Sequence, residues 1–284
     1  MMRKQSKIGV VDVGGGLRGI YAAGIFDYCM EHGITFDYAI GVSAGGANLA
    51  SFAARQPGRN YRFYTTYSRR KEYMSLKNFV FKRSYIDMQY VYGTLSRKSG
   101  EDPLDYETLK NNPMELEIVA TNADTGKPIY FSKSDIHQDR YDVFMASSSI
   151  PFVCRPQMIN GIPCYDGALG DPIPFNRAFK AGCDKVVVIL TKPVNTVRDP
   201  LKDMRIADLI RHKYPYAAWR LNRRAKTYND SVEEAKKLQA QGKVLIIAPE
   251  STCGLTTLTK DVEKLDRLYH LGYKDAERLN TFCR

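Results

Sequence analysis

Residues 8–19 read IGVVDVGGGLRG and residues 38–46 read YAIGVSAGG, and these two stretches decide the fold. Each is a short apolar run that ends in small residues and is followed by a helical pattern, at residues 19–32 and 44–54 respectively. Short apolar runs predict buried strands, and their alternation with helices predicts parallel strands joined by right-handed crossovers. We therefore predict a three-layer α/β/α fold with a mainly parallel central sheet.

Other segments extend this pattern along the chain. Asn160 and Gly161 lie between two short extended runs, and this dipeptide favours the positive φ angles of a type I′ hairpin turn. Beyond residue 200 the sequence predicts two long helices, residues 216–241 and 262–279, the second with Thr259 as its N-cap. The remaining predicted strands are residues 116–121, 129–132, 185–191 and 244–248.

Composition narrows the class of protein. The chain has 284 residues, 44% of them hydrophobic, and its 42 Lys and Arg against 31 Asp and Glu give a formal net charge of +11. This apolar content excludes a disordered chain, and aliphatic runs of only five residues predict no membrane span. The N-terminal apolar stretch is broken by Asp12, unlike a secretory signal, and the six cysteines form no C-x-x-C pair. We expect a cytoplasmic protein without a metal site.

The glycine-rich turn after the first strand has two interpretations. Gly14, Gly16 and Gly19 have the spacing of a dinucleotide-binding loop, but the acidic residue that would hold a ribose, Asp37, precedes the second strand instead of following it. Alternatively, consecutive glycines expose backbone N–H groups at a helix N-terminus, which suits a developing oxyanion. The second interpretation needs a nucleophile nearby.

Ser43 lies at the centre of a G-x-S-x-G pattern between a predicted strand and a predicted helix, the setting of a nucleophile elbow. A base is harder to find among the four histidines. His32 and His137 are near no recognisable motif, and His212 and His270 fall within helical patterns. A histidine base is therefore poorly supported by the sequence.

The ordered set GGGLRG, GVSAGG and DGA resembles the patatin-like phospholipases over roughly residues 7–195. This resemblance implies a Ser-Asp dyad without a catalytic histidine and without a cofactor. Ser43 would be the nucleophile, Asp166 the general base, and Gly14, Gly15 and Gly16 the oxyanion hole. An aspartate with an ordinary pKa near 3.9 is a weak base, so Asp166 must gain basicity from desolvation. The residues that would support the site are Arg18, Gly19, Gly41, Gly45, Gly167 and Ala168.

The resemblance also implies an organisation of the chain. We predict a catalytic domain over residues 1–200 and a mainly helical C-terminal extension, residues 201–284, packed on the same domain. A similar extension occurs in a bacterial subgroup of the family. The sequence assigns no chemistry to it.

Positive charge is concentrated in two blocks. Residues 55–98 hold 11 Lys and Arg against Glu72 and Asp87, and residues 201–226 hold 8 against Asp203 and Asp208. The first block also contains many aromatic residues, and the sequence does not tell whether Tyr61 or Phe63, for example, anchors the protein at an interface or lies in the core. Cations interleaved with aromatics suit an anionic membrane surface. An ordinary solvated face and nucleic-acid binding remain alternatives, although no nucleic-acid motif is recognised.

Together these features predict a serine acyl hydrolase that acts on lipid or phospholipid esters, of phospholipase A or lysophospholipase type. Peripheral contact with the inner face of the membrane would follow from the basic blocks. The alternatives are a basic lipid-surface or nucleic-acid binding module with an inactive hydrolase site and, less favoured, a dinucleotide-binding protein. The sequence predicts no oligomeric state.

Overall fold

The structure is a computed structural model that describes residues 6–283. Residues 1–5, at the start of the predicted catalytic domain, and residue 284, the last of the predicted extension, lie outside the described residues. The strands found within residues 6–283 are β1 (Ile8–Asp12), β2 (Tyr38–Val42), β3 (Glu115–Asn122), β4 (Pro128–Ser132), β5 (Gln157–Ile159), β6 (Ile162–Asp166), β7 (Lys185–Ile189) and β8 (Val244–Ile247). The α-helices are α1 (Ile20–Glu31), α2 (Ala44–Ala53), α3 (Arg59–Thr65), α4 (Leu76–Lys82), α5 (Tyr106–Asn111), α6 (Asp142–Ser147), α7 (Phe175–Lys180), α8 (Leu201–Ile210), α9 (Pro215–Ala240), α10 (Val262–Asp275) and α11 (Leu279–Phe282). Short 3₁₀ turns, among them Gly16–Gly19 and Gly167–Leu169, and a π-helix at Gln89–Leu95 complete the fold.

All eight strands belong to one sheet. Strands β8, β7, β1, β2 and β3 run parallel in that spatial order, whereas β4 and β6 pair antiparallel with β3 and β5 pairs antiparallel with β6. Because parallel neighbours need crossover connections, the helices cover both faces of the sheet. The predicted three-layer α/β/α fold with a mainly parallel sheet is confirmed.

The central strands are buried on both faces because successive side chains point to opposite sides of the sheet. Val10 packs in the core that α1 and α2 cover, and Val11 packs in the core that includes Phe175 of α7 and Val232 of α9. This explains why β1 and its neighbours are almost continuously apolar in sequence instead of alternating.

The region after residue 200 is joined closely to the rest of the fold. Strand β8 extends the sheet beside β7, and α10 crosses α1 at two glycines. A Cβ atom on Gly24 would lie 2.1 Å from the carbonyl oxygen of Tyr269, and one on Gly272 would lie 2.0 Å from that of Tyr21. Only glycine permits this approach of the two backbones. The Tyr21 hydroxyl adds a 2.6 Å hydrogen bond to Asp275.

Two local predictions can be compared with the structure. Asn160 and Gly161 have φ angles of 49° and 79° and connect β5 to β6, as expected for a type I′ hairpin. The N-cap prediction at Thr259 is wrong. Asp261 caps α10 by accepting the Lys264 N–H, while the Thr259 hydroxyl accepts the N–H of Thr256. No helix among the described residues has both the length and the apolar composition needed to cross a bilayer.

Candidate active site

Ser43 occupies a strained turn between β2 and α2. Its φ of 57° and ψ of −130° lie in a region that non-glycine residues rarely adopt, and such strain concentrates at functional sites. The turn is tight, because a Cβ on Gly45 would stand 2.2 Å from the Asp12 carbonyl oxygen and one on Gly41 would stand 2.6 Å from the Gly46 Cα. The Ser43 N–H donates to the Ser147 hydroxyl at 2.8 Å. Ser43 therefore sits on an elbow of the kind its sequence pattern predicts.

Strand β3 brings Asp166 to Ser43. Val42, the last residue of β2, pairs with Val119, and Asp166, the last residue of β6, pairs with Ala120, the next residue of β3. The end of β6 therefore continues the line of β2 along the same edge of β3. Gly167 makes this possible, because a Cβ there would lie 2.2 Å from the Val119 carbonyl oxygen.

The Asp166 carboxyl is 2% exposed, and burial raises its pKa above the ordinary value. The Arg224 guanidinium, the Ala168 N–H at 2.9 Å and the Ser43 hydroxyl each favour the ionised form and oppose that shift. A buried carboxylate that faces a serine hydroxyl can accept its proton.

The glycine loop lies beside this pair. Gly14, Gly15 and Gly16 have φ angles of 65°, 131° and 60°. The Gly14 N–H already donates to Asp12 Oδ1 at 2.9 Å, and the Gly14 carbonyl oxygen accepts the Thr191 hydroxyl. These bonds hold the loop and leave the N–H groups of Gly15 and Gly16 as the candidate donors to an oxyanion.

Two members of the predicted supporting motif have other contacts. A Cβ on Gly19 would lie 2.5 Å from the Tyr64 hydroxyl, so this glycine allows α3 to approach the loop. Arg18 is only 9% exposed, and its Nη1 donates to the Thr257 hydroxyl at 3.3 Å.

Two residues that the sequence analysis did not select hold the site together. Asp12 is fully buried and accepts hydrogen bonds from the Asn48 side chain and the Gly14 N–H. Burial outweighs these bonds and raises the pKa of Asp12 to about 6. Asn48 also donates to the Gly19 carbonyl and accepts the Tyr64 hydroxyl. The sequence carries a signal for Asp12, because an acidic residue within an otherwise apolar strand needs hydrogen-bond partners when it is buried.

A narrow cleft of about 80 Å³ opens at Ser43. Gly16 and Ser148 also line it, and its walls are largely apolar, with Phe63, Tyr64, Met74, Ile86, Met88, Val91, Tyr92 and Ile150. Ligand pockets usually exceed about 300 Å³, so a long acyl chain requires these walls to move apart.

The structure also bears on the alternatives. All four histidines are exposed, and none lines the described cleft. Asp37 accepts the Ile8 N–H at 2.7 Å, at the start of β1 and therefore at the opposite end of the strand from the glycine loop. It is not placed to bind a ribose beside that loop.

The basic block of residues 55–98 is partly structural. Arg59 and Arg62 both pair with Asp102, Arg70 forms two hydrogen bonds with Glu101, and Lys82 pairs with Asp87. Phe63, Tyr64 and Tyr67, of α3 and the turn that follows, are core residues and all below 10% exposed. Tyr61 of α3 is only partly buried and donates its hydroxyl to Asp266 at 2.8 Å. Of the two alternatives that the sequence left open, the core position therefore holds for Phe63, Tyr64 and Tyr67.

Two family models match separate parts of the sequence. A family model described as "Patatin-like phospholipase" matches residues 13–179, and a second, "Domain of unknown function (DUF6363)", matches residues 214–281. The "Uncharacterized protein YjjU" of Escherichia coli strain K12 is 32% identical over 192 residues, which are 66% of this chain and 52% of that protein. The "Lysophospholipase NTE1" of Scheffersomyces stipitis is 23% identical over 293 residues, covering 96% of this chain and 18% of that protein.

Among solved structures, VipD from Legionella pneumophila aligns with a TM-score of 0.48 at 14% identity, over 97% of this chain and 67% of that one. The chain spans about half the length of the E. coli relative and less than a fifth of the fungal one. The domain boundary near residue 200 falls between the two matched segments and stays a prediction. Because the first family model covers more than half of the 284 residues, the protein belongs to the patatin-like phospholipase family.

Proposed function

We propose that this protein hydrolyses acyl esters of lipids, with Ser43 as nucleophile and Asp166 as general base. The observation that carries the proposal is the strained Ser43 turn placed in register with the buried Asp166 carboxyl at the end of an apolar cleft. Family membership supports the same reaction class.

The chemistry proceeds in two steps. Ser43 Oγ attacks the ester carbonyl carbon while its proton passes to Asp166, and the N–H groups of Gly15 and Gly16 stabilise the oxyanion. The tetrahedral intermediate then expels the alcohol, which takes the proton from Asp166 and leaves an acyl-serine. Asp166 next removes a proton from water, whose oxygen attacks the acyl carbon. Collapse releases the fatty acid, and the Asp166 proton returns to Ser43.

The apolar cleft walls favour the acyl chain of a lipid over a small polar ester. The fungal relatives are named lysophospholipases, which supports a phospholipase A or lysophospholipase activity for this chain. The binding module with an inactive site, the competing hypothesis, predicts ligand binding without turnover.

Contact with an anionic membrane surface forms part of the proposal, and the features that support it lie on α4, within the basic block of residues 55–98. Leu76, Val80 and Phe81 are 76%, 69% and 77% exposed, and Phe79 of the same helix contacts the exposed Phe152 ring. The cations Lys77 and Arg83 are exposed beside them. An apolar helical face flanked by cations is typical of segments that lie in a membrane interface. Met74 and Ile86, on either side of α4, line the cleft, so docking here would bring the cleft to the lipid.

A serine-directed probe tests the function. A fluorophosphonate should form one covalent adduct, at Ser43, and Ser43→Ala should abolish both the adduct and ester hydrolysis. Ser134→Ala, at an exposed serine in the turn after β4, is the matched control and should retain both. An adduct at another serine, or hydrolysis by folded Ser43→Ala protein, would contradict the proposal.

A further inference from the structure

Four cations from three separate segments converge beside the glycine loop. Arg18 follows the loop directly, Lys192 and Arg198 lie in the connection after β7, and Arg224 projects from α9. Arg18 Nη2 would stand 3.4 Å from a Cβ on Gly15, and Thr191, next to Lys192, donates its hydroxyl to the Gly14 carbonyl oxygen. We call these four residues the cation cluster. It lies at the carboxyl edge of the parallel strands, where α/β proteins bind their ligands.

The cation cluster is short of partners within the protein. Asp203 is the carboxylate that pairs with it, at 3.0 Å from Arg198 and 3.6 Å from Arg224. The buried Nε atoms of Arg18 and Arg224 have no hydrogen-bond acceptor among residues 6–283. Within the same residues, the Lys192 ammonium forms neither a hydrogen bond nor an ion pair. Native proteins rarely leave buried donors in this state, so the cluster calls for a ligand.

The electrostatics of the cation cluster also favours a bound anion. Burial, followed by repulsion from Arg18, Arg198 and Arg224, lowers the pKa of Lys192 to about 8. Burial also lowers the pKa values of Arg18 and Arg224, and the neighbouring Arg198 adds to both effects. Like charges held together away from water oppose folding, and an anion bound among them would relieve that repulsion.

The donor set favours a phosphate group. Guanidinium groups bind phosphate oxygens through paired hydrogen bonds, and a lysine adds a compact positive charge. The cluster lies beside Gly15, whereas the apolar walls lie around Ser43 toward α3 and the π-helix. A glycerophospholipid has this same division, with a phosphate a few bonds from an acyl ester.

Building on the proposed hydrolase function, we propose that Arg18, Lys192, Arg198 and Arg224 bind the phosphate of a glycerophospholipid whose ester carbonyl lies at Ser43. Arg224 belongs to the segment matched by the domain of unknown function, residues 214–281. That segment thereby acquires a role in substrate selection, since it completes a headgroup site begun by the glycine loop.

A binding experiment with non-hydrolysable ligands tests this site. We would compare 1-O-octylglycerol 3-phosphate with 1-O-octylglycerol by isothermal titration calorimetry on the full chain. Wild type should prefer the phosphorylated ether. Arg224→Gln should reduce that preference about tenfold or more, the effect of one charge-assisted hydrogen bond. Arg223→Gln removes the same charge from an exposed position one residue away and should retain the preference.

Lys192→Met is a second variant, and it removes an ammonium group that forms no hydrogen bond among residues 6–283. It should also reduce the preference for the phosphorylated ether without lowering the Tm. Equal weakening of both ethers would indicate a structural role and overturn the proposal. Inorganic phosphate is titrated separately, and binding of phosphate without any preference for the phosphorylated ether would also overturn it. Because binding requires no turnover, failure of this site is distinguishable from failure of the hydrolase proposal.

Discussion

The block of residues 55–98 and the cation cluster are both rich in positive charge, yet they differ in how that charge is satisfied. In the block, Arg59, Arg62 and Arg70 have carboxylate partners, and other cations such as Lys77 are exposed to solvent. The buried Nε of Arg59 also lacks a hydrogen-bond acceptor among the described residues, but its Nη atoms donate to the Ser51 and Ser96 hydroxyls and to the Asp102 carbonyl oxygen. In the cluster, four mostly buried cations share one paired carboxylate, Asp203. The comparison teaches that charge density along the chain does not locate a ligand site. The proposed phosphate site rests instead on how few carboxylates surround these cations in the folded protein.

The largest effect is expected from a substitution of Asp166, the carboxylate that faces both the Ser43 hydroxyl and Arg224 of the cation cluster. This substitution leaves both cationic regions intact. Asp166→Asn should lower kcat on a soluble ester on the order of 10⁴-fold, because the serine loses its base. Steady-state hydrolysis of a short-chain nitrophenyl ester measures this loss.

His270→Ala is the matched control, since His270 is exposed on α10 and its one ion pair within residues 6–283 is with Asp266 of the same helix. It should stay within a few-fold of wild type. A histidine variant as inactive as Asp166→Asn would replace the dyad with a triad.

The second prediction sharpens the contrast through stability. Asp102→Ala should destabilise the protein by about 3 kcal/mol, because it leaves the buried Arg59 without its carboxylate and Arg62 without its bidentate partner. Lys192→Met should leave stability unchanged or raise it, because it removes a repelled charge.

Urea denaturation of both variants makes the comparison directly. Asp105→Ala is the control for the loss of a carboxylate from the same region, because Asp105 is exposed and its side chain caps α5. We expect it to lower the free energy of unfolding by about 1 kcal/mol. If Lys192→Met destabilised the fold as much as Asp102→Ala, the two cationic regions would not differ as described.

The third prediction concerns membrane contact. Lys77→Glu with Arg83→Glu should weaken binding to phosphatidylglycerol vesicles by about tenfold or more, since each cation near anionic headgroups contributes about 1 kcal/mol. Vesicle sedimentation at low and physiological salt measures the effect, which should be smaller at higher salt.

Arg267→Glu with Lys274→Glu reverses two exposed charges on α10 and controls for net charge. Similar losses in both double variants would show that overall charge, and not α4, governs binding.

The smallest predicted effect links the cation cluster to the base. Ester hydrolysis should rise from acidic to neutral pH as Asp166 ionises, with a midpoint above the ordinary aspartate pKa because burial raises it. Arg224 favours the ionised form, so Arg224→Gln should move that midpoint upward by about one pH unit or less.

The pH dependence of kcat/KM on a soluble neutral ester measures the shift, and Arg223→Gln should leave the midpoint in place. A downward shift in Arg224→Gln would mean that Arg224 does not favour the ionised form of Asp166.

Much of the fold was predictable because its signals are local. The apolar run before Gly14, the strand before Ser43 and the Asn160-Gly161 turn each combine periodicity with turn chemistry inside a few residues. Helix ends were less predictable: Thr259 and Asp261 are both good capping residues, and in the structure Asp261 caps α10 while the Thr259 hydroxyl accepts the N–H of Thr256.

The sequence by itself determined the α/β architecture, the Ser43 elbow and the glycine loop, because strand, turn and helix signals act between near neighbours. Only the tertiary structure decided that Asp166 meets Ser43, since this depends on two strands sharing adjacent positions of β3. It alone decided that Phe63 and Tyr67 are core residues, and that Arg18 and Arg224, 206 positions apart, lie in one cluster. Burial and the pairing of charges are properties of the folded surface, and no local pattern encodes them.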